Sequence, residues 1–170
     1  ILNADNHWFD TLVEAAKAVG AEIRSFGAAG TNAAQLLDIR PSAAGSEVTA
    51  ALHGKTVRFP ILQVGEHWGH NSLAAILMLE ALGLDQALAI DALGRFSPLA
   101  GRGAEHRIRL ADGSLSLIDE SYNANPVSMA AALKTLGTRP TKGRKIAVLT
   151  DMLELGEAGP ALRSEEHTSE

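Results

Sequence analysis

Leu115-Ser-Leu-Ile-Asp-Glu-Ser-Tyr-Asn-Ala-Asn-Pro-Val-Ser-Met-Ala-Ala-Ala-Leu133 reads in order as a strand, a polar loop and the start of a helix. Leu115, Leu117 and Ile118 form a short apolar run between turn-forming residues, which predicts a buried strand. Asp119 and Glu120 end it with two carboxylates. Ser121, Asn123 and Asn125 can bond their side chains back onto a tight loop. Asn125 suits a helix N-cap, and Pro126 the first helical position, where a missing N–H costs nothing. Residues 127–136 continue as an alanine- and leucine-rich helix, which Gly137 is expected to close in the left-handed conformation. In open α/β sheets, ligands sit where a strand passes through a loop into a helix N-terminus.

The segments on either side fill in an α/β chain. Residues 106–110 and 115–118 flank Ala111-Asp112-Gly113-Ser114, a good hairpin turn. Before them, Phe96-Ser-Pro-Leu-Ala-Gly-Arg-Gly103 holds one cation, Arg102, between two glycines. Glycine lets backbone approach a ligand closely, and guanidinium matches phosphate oxygens. On its own such a loop is more often a solvated turn. Further upstream, 64–83 is a loop feeding an apolar helix with Leu73, Ile76, Leu77 and Leu84 at helical spacing. His67 and Asn71, four apart, share a face near its start. Asp85 is expected to cap a short helix that Gly94 ends.

Strands are expected over 35–40, 47–52 and 56–62, antiparallel, turning at His53-Gly54-Lys55, with Pro41 and Pro60 at edges or strand ends. The first residues read as a strand end. A helix follows, with Leu12, Val13, Ala16 and Val19 on one face, capped by Asp5 or Asp10 and stopped by Gly20. A strand over 21–26 completes a β-α-β unit, the building block of a parallel sheet. At the other end, 145–151 predicts a second buried strand. A right-handed crossover would put Asp119 and Asp151 at one sheet edge.

Composition removes several function classes. Of 170 residues, 46% are apolar and 21% charged, an ordinary globular balance. The net charge of −5 argues against a general nucleic-acid or anionic-membrane surface. With no cysteine there is neither disulfide nor thiolate site, which fits a cytoplasmic protein. No apolar run approaches the roughly 20 residues that span a bilayer, so membrane insertion is not expected. His67 and His70 lack a third ligand at metal-binding spacing, so the sequence carries no zinc signature. No Gly-x-x-x-x-Gly-Lys-Ser/Thr phosphate loop occurs anywhere in the chain.

Asp119-Glu-Ser-Tyr-Asn-Ala-Asn-Pro126, with Ser128-Met129 behind it, resembles the signature of the Mur ligases, in the form carried by the branch that adds D-alanyl-D-alanine. Ile1-Leu2-Asn3-Ala4-Asp5-Asn6 resembles the family's "LNADD" strand end, with Asn6 in place of the second aspartate. The segment 65–71 resembles Gly-x-His-Asn-x-x-Asn, with Trp68 where the first asparagine is usual. The segment 96–102 resembles "F-x-P-x-x-G-R", and 150–156 resembles "GDMLELG" with Thr150 in place of glycine.

The resemblance implies a mostly parallel central ATPase sheet with an antiparallel extension, followed by the start of a Rossmann-like C-terminal domain. It places the end of the central domain in 1–116 and the first β-α-β of the next in 117–162. Residues 163–170 read as a foreign or truncation-derived tail. It implies an ATP-dependent ligase joining D-Ala-D-Ala to UDP-MurNAc-tripeptide, cytoplasmic and monomeric at full length. The family's phosphate loop and its Mg2+ ligands would lie upstream, so the chain is expected to be an inactive internal fragment. His67 and Asn71 would face adenine, Arg102 the phosphates and Asp119 the ribose, with Tyr122, Asn123 and Asn125 shaping the wall. Two other readings compete: a sister or folyl-polyglutamate-type ligase, against which the 119–126 loop speaks, and a non-catalytic nucleotide-binding α/β module.

Overall fold

The structure, a computed structural model, describes residues 1–42, 44–97, 99–150 and 152. The chain divides into two compact units, Ile1–Ser97 and Pro98–Glu170. The boundary expected after residue 116 falls inside a hairpin of the second unit.

The first unit is a five-stranded sheet in the order β1 to β5, with helices α1 to α3. Leu2–Asn3 (β1), Ser25–Gly27 (β2) and Ala34–Ser42 (β3) pair in parallel. Gly45–Leu52 (β4) and Lys55–Ile61 (β5) extend the sheet antiparallel. The antiparallel strands match the expected set, and Pro60 lies on the edge strand β5, where its missing N–H breaks no ladder. His53 and Gly54 form the β4–β5 turn, both at positive φ (48° and 79°), the twist a two-residue hairpin needs. A bulge between Leu36 and Asp38 shifts the register of β3, and Leu37 turns outward.

Helix α1, Phe9–Ala18, follows β1 and buries no residue fully. Neither Asp5 nor Asp10 caps it: Trp8 is the N-cap and makes no side-chain bond. Its C-terminus closes at Gly20 as expected, with Gly20 N–H donating to Lys17 O and Ala21 N–H to Ala16 O. Helix α2, Glu66–Ala81, lays Leu73, Ile76 and Leu77 on Leu36, Val48, Ala50, Leu52, Phe59 and Ile61 of the sheet, all part of one buried cluster. Gly69 brings this helix close, since a Cβ there would stand 3.1 Å from Leu36 Cδ1. Trp68 packs against the same core. Helix α3, Gln86–Arg95, is capped by Asp85, whose carboxylate accepts Ala87 N–H at 2.7 Å. It runs one residue past Gly94, which does not end it.

Among the described residues, the second unit holds an antiparallel hairpin and one helix. Ala104–Leu110 (β6) pairs with Gly113–Asp119 (β7) across Ala111-Asp112. The buried strand expected at 115–118 is instead half-exposed, with Leu115 at 46% and Leu117 at 47%. A strand paired on one side only, in a two-stranded sheet, has too few neighbours to cover it. Helix α4, Pro126–Thr138, starts as expected, with Asn125 at the N-cap and Pro126 first. It does not close at Gly137, which keeps helical φ; it stops at Arg139, held extended (ψ 129°) ahead of Pro140. Residues 145–150 form no ladder, and Ile146 and Val148 are exposed. Among the described residues no neighbouring strand pairs with this run, so its apolar side chains are left uncovered. Asp151, most of the 150–156 motif and the 163–170 tail lie outside the described residues.

Candidate functional site

The residues expected to meet a ligand fall into two groups, one in each unit. In the first unit both stand at the start of α2. His67 occupies the first turn, half-buried, with its ring 5.7 Å from that of Trp68. Burial holds its imidazole below the ordinary histidine range, so the neutral ring is favoured. Asn71 sits one turn later, exposed, its carboxamide bonded to nothing among the described residues. Such a group can offer both a donor and an acceptor to a heterocycle edge.

The sequence reading missed a second arrangement in this unit. Asp5, two residues past β1, accepts Ala28 N–H at 2.7 Å and Ala29 N–H at 3.2 Å. Its carboxylate also fills the space over Gly27, where a Cβ would lie 2.8 Å from Oδ1. His70 Nδ1 lies 3.8 Å from the same carboxylate, buried and without a hydrogen-bond partner. Asn32 Nδ2–H to Ala29 O at 2.6 Å and Gln35 Nε2–H to Ala28 O at 3.0 Å complete the tie of this short β2–β3 connection. The signal available was the run of small residues at 27–30 facing a carboxylate at a strand end.

In the second unit Asp119 joins two loops. Its Oδ2 accepts Gly101 N–H at 3.1 Å and its Oδ1 accepts Ser121 N–H at 3.1 Å. The loops are further tied by Gly103 N–H to Asp119 O at 2.9 Å and Tyr122 N–H to Gly101 O at 3.1 Å. Gly101 is buried at φ 71°, and a Cβ there would meet Tyr122 Cβ at 2.9 Å, so only glycine fits. Arg102 thereby faces Tyr122, with its guanidinium carbon 4.0 Å from the ring centroid. Hydrogen bonds from Ser121, first its hydroxyl and then its N–H, hold the Asp119 carboxyl below the usual carboxylate range, helped by Gly101 N–H and by His106. Glu120 goes the other way: partial burial and then the charge of Asp119 push it up.

Asn123 Oδ1 accepts the next N–H, Ala124, at 2.8 Å, which stiffens the loop. Asn125 spends its oxygen on the helix, accepting Ser128 N–H at 2.9 Å while Ser128 Oγ accepts Asn125 N–H at 3.0 Å. Its part is to aim α4. Arg102, Asp119 and Tyr122 are thus brought together, while Asn123 and Asn125 shape the loop behind them. A shallow concavity of about 580 Å³ on the hairpin touches none of these residues; it is lined by Arg107, Arg109, Leu110, Gly113 and Ser114.

The first unit thus holds a sheet that turns from parallel to antiparallel, and the second a glycine-flanked arginine loop buttoned to a strand-end aspartate. Residues 1–79 match the Mur ligase middle domain, and the chain belongs to the Mur ligase family. It is 34% identical over 140 residues to the UDP-N-acetylmuramoyl-tripeptide–D-alanyl-D-alanine ligase of Bacillus subtilis, covering 82% of this chain and 30% of that one. MurF from Acinetobacter baumannii superposes with a TM-score of 0.82 at 26% identity, over 96% of this chain and 34% of its own. The MurF ligase of Thermotoga maritima, solved in complex with ADP, shares the fold at a TM-score of 0.74 and 21% identity, over 93% and 35% of the two chains. The chain thus spans about a third of the length of the relatives it matches.

Proposed function

We propose that this chain is the nucleotide-handling segment of an ATP-dependent ligase that joins D-alanyl-D-alanine to UDP-N-acetylmuramoyl-tripeptide in peptidoglycan precursor synthesis. The relatives named for that reaction support it. The observation that carries it is the loop pair in the second unit, where Asp119 and Arg102 are fixed in one assembly by Gly101. In this reading Arg102 binds phosphate oxygens, which guanidinium suits by geometry and permanent charge. Asp119 accepts ribose hydroxyls through oxygen lone pairs that its two N–H partners leave free. Asn71 and the neutral ring of His67 meet the adenine, and Tyr122 and Asn123 line the wall.

ATP would supply an acyl phosphate on the tripeptide carboxylate, which the dipeptide amine then attacks with loss of phosphate. The chain's own residues contribute binding and orientation, the larger part of phosphoryl-transfer catalysis. Among the described residues no three of His, Cys, Asp or Glu converge as metal ligands, so no step is assigned to Mg2+ on them. Within this reading the full-length enzyme is a cytoplasmic monomer serving cell-wall growth, and hence cell shape and division. Its middle domain ends near 116 and a C-terminal domain begins in 117–162.

The test is the full-length ligase containing this segment, given ATP, D-Ala-D-Ala and UDP-MurNAc-tripeptide, with product followed by mass spectrometry. The pentapeptide product is expected. Product only from UDP-MurNAc plus L-alanine, or only from a folate plus glutamate, would overturn the assignment.

A further inference from the structure

Arg102 is held at its backbone by the glycine loop, and the structure shows what holds its other end. Arg102 N–H donates to Leu99 O at 3.0 Å, and Gly101 and Gly103 on either side take positive φ values of 71° and 86°. The side chain then crosses the 119–125 loop and places its guanidinium over the Tyr122 ring at 4.0 Å. No carboxylate pairs with Arg102 among the described residues, although Glu120 and Asp119 stand on the same loop as Tyr122. Among the described residues the guanidinium therefore rests on a ring face rather than on an anion. An arginine paired to a carboxylate must break that pair to take a phosphate. One resting on an aromatic face keeps its charge and its N–H edges available while its rotamers are restricted.

Tyr122 does little for the core: it is 67% exposed. Its backbone is pinned, through Tyr122 N–H to Gly101 O at 3.1 Å, to the glycine that precedes Arg102. The ring and the guanidinium are thus anchored to one another at both levels.

We propose that Tyr122 is a positioning residue that acts through Arg102, pre-setting the guanidinium for the phosphates of the nucleotide. This rests on the phosphate-binding role assigned to Arg102 above. A cation–π contact at an exposed site restricts a side chain by an amount equivalent to about a two- to fivefold change in affinity.

The experiment is calorimetric titration of the full-length ligase with ADP and, separately, with adenosine, for wild type, Arg102→Ala, Tyr122→Leu, Tyr122→Phe and the Arg102→Ala/Tyr122→Leu double variant. Tyr122→Leu should weaken ADP about two- to fivefold and leave adenosine unchanged. Tyr122→Phe, which keeps the ring face, should restore wild-type ADP affinity. In the Arg102→Ala background Tyr122→Leu should add nothing. Equal losses for adenosine and ADP would make the ring a base-stacking platform and overturn the proposal. So would an undiminished Tyr122→Leu effect without Arg102, or no Tyr122→Leu effect where Arg102→Ala weakens ADP. If Arg102→Ala itself leaves ADP affinity unchanged, the phosphate role fails first and this inference with it. Phe and Leu substitutions at so exposed a position should leave the melting temperature in place. If Leu lowers it, the Phe variant against the Arg102→Ala variant still decides.

Discussion

Asp119 Oδ2 accepts the Gly101 N–H at 3.1 Å, so the carboxylate assigned to the ribose is also the staple between the arginine loop and the helix-leading loop. Two roles on one residue can be separated by changing the ligand rather than the protein. In the full-length ligase, Asp119→Ala should weaken ADP binding by about ten- to a hundredfold, since charge-assisted hydrogen bonds are lost. Wild type should also lose affinity for 2′,3′-dideoxy-ADP relative to ADP, and the variant should no longer discriminate between the two. A variant that still prefers ADP by the wild-type factor would leave Asp119 as a staple only.

Glu120 sits next to that carboxylate and titrates above its ordinary value of 4.5. A carboxyl whose folded pKa is raised contributes stability that is complete below its unfolded pKa and is lost as pH rises through the folded one. At neutral pH the charged Glu120 therefore weighs against the fold. Glu120→Gln should raise the melting temperature at pH 7, and the advantage should vanish by about pH 4. A gain that persists unchanged at pH 4 would show that charge is not the cause.

The parts of this fold that were legible in the sequence are those fixed by local chemistry. Asn125-Pro126 specified a helix start because a side-chain acceptor is favoured at the N-cap and a missing N–H costs nothing at the position after it. His53-Gly54 specified a turn for the same kind of reason. Spacing alone picked out Leu73, Ile76 and Leu77 of the buried cluster, but it also took in Leu84, which lies past the end of α2 and is 46% exposed. What was not legible depends on partners far along the chain. Whether Leu115 and Leu117 are covered, or 145–150 paired, turns on neighbours that composition does not name. Asp5 looked like a helix cap because its sequence neighbours are helical, yet its hydrogen-bond partners, Ala28 and Ala29, lie more than 20 residues on. The Arg102–Tyr122 contact was hidden likewise, since each residue alone reads as an ordinary loop residue.

Asp5 offers a stability test. Its carboxylate bonds two N–H groups and occupies the space above Gly27. Hydrogen bonds to a charged group are worth about 1.5–3 kcal/mol net, so Asp5→Ala should cost an amount of that order in denaturant unfolding. Gly27→Ala should cost a similar amount, because its new Cβ displaces the carboxylate. The double variant should cost clearly less than the two added together, as expected for residues in contact. Strict additivity would mean that the loop is held by something else.

The 170 residues contain no phosphate loop, and a γ-phosphate needs a backbone cradle to be activated. The isolated chain should therefore release no phosphate from ATP above a buffer blank. Release that scales with protein concentration and falls in Arg102→Ala would refute this.

His67 ties the stability of the first unit to pH. Burial lowers its pKa below 6.5, so the folded chain keeps the ring neutral at a pH where the unfolded chain has begun to protonate it. The unfolded state then binds more protons, and stability falls as pH drops through about 6.5, levelling off only below the folded pKa. The loss is specific to this ring, because the partly buried site at the start of α2 is what excludes the charge. His67→Gln keeps a polar side chain of similar length but cannot titrate. Wild type should lose more stability than the variant between pH 7.5 and pH 5, and the two should run parallel above pH 7.5. Urea unfolding at matched ionic strength measures it, with the remaining histidines common to both proteins. Equal slopes across the whole range would show that the imidazole is as free to protonate in the fold as outside it. The neutral, adenine-facing ring assigned here to His67 would then have no basis.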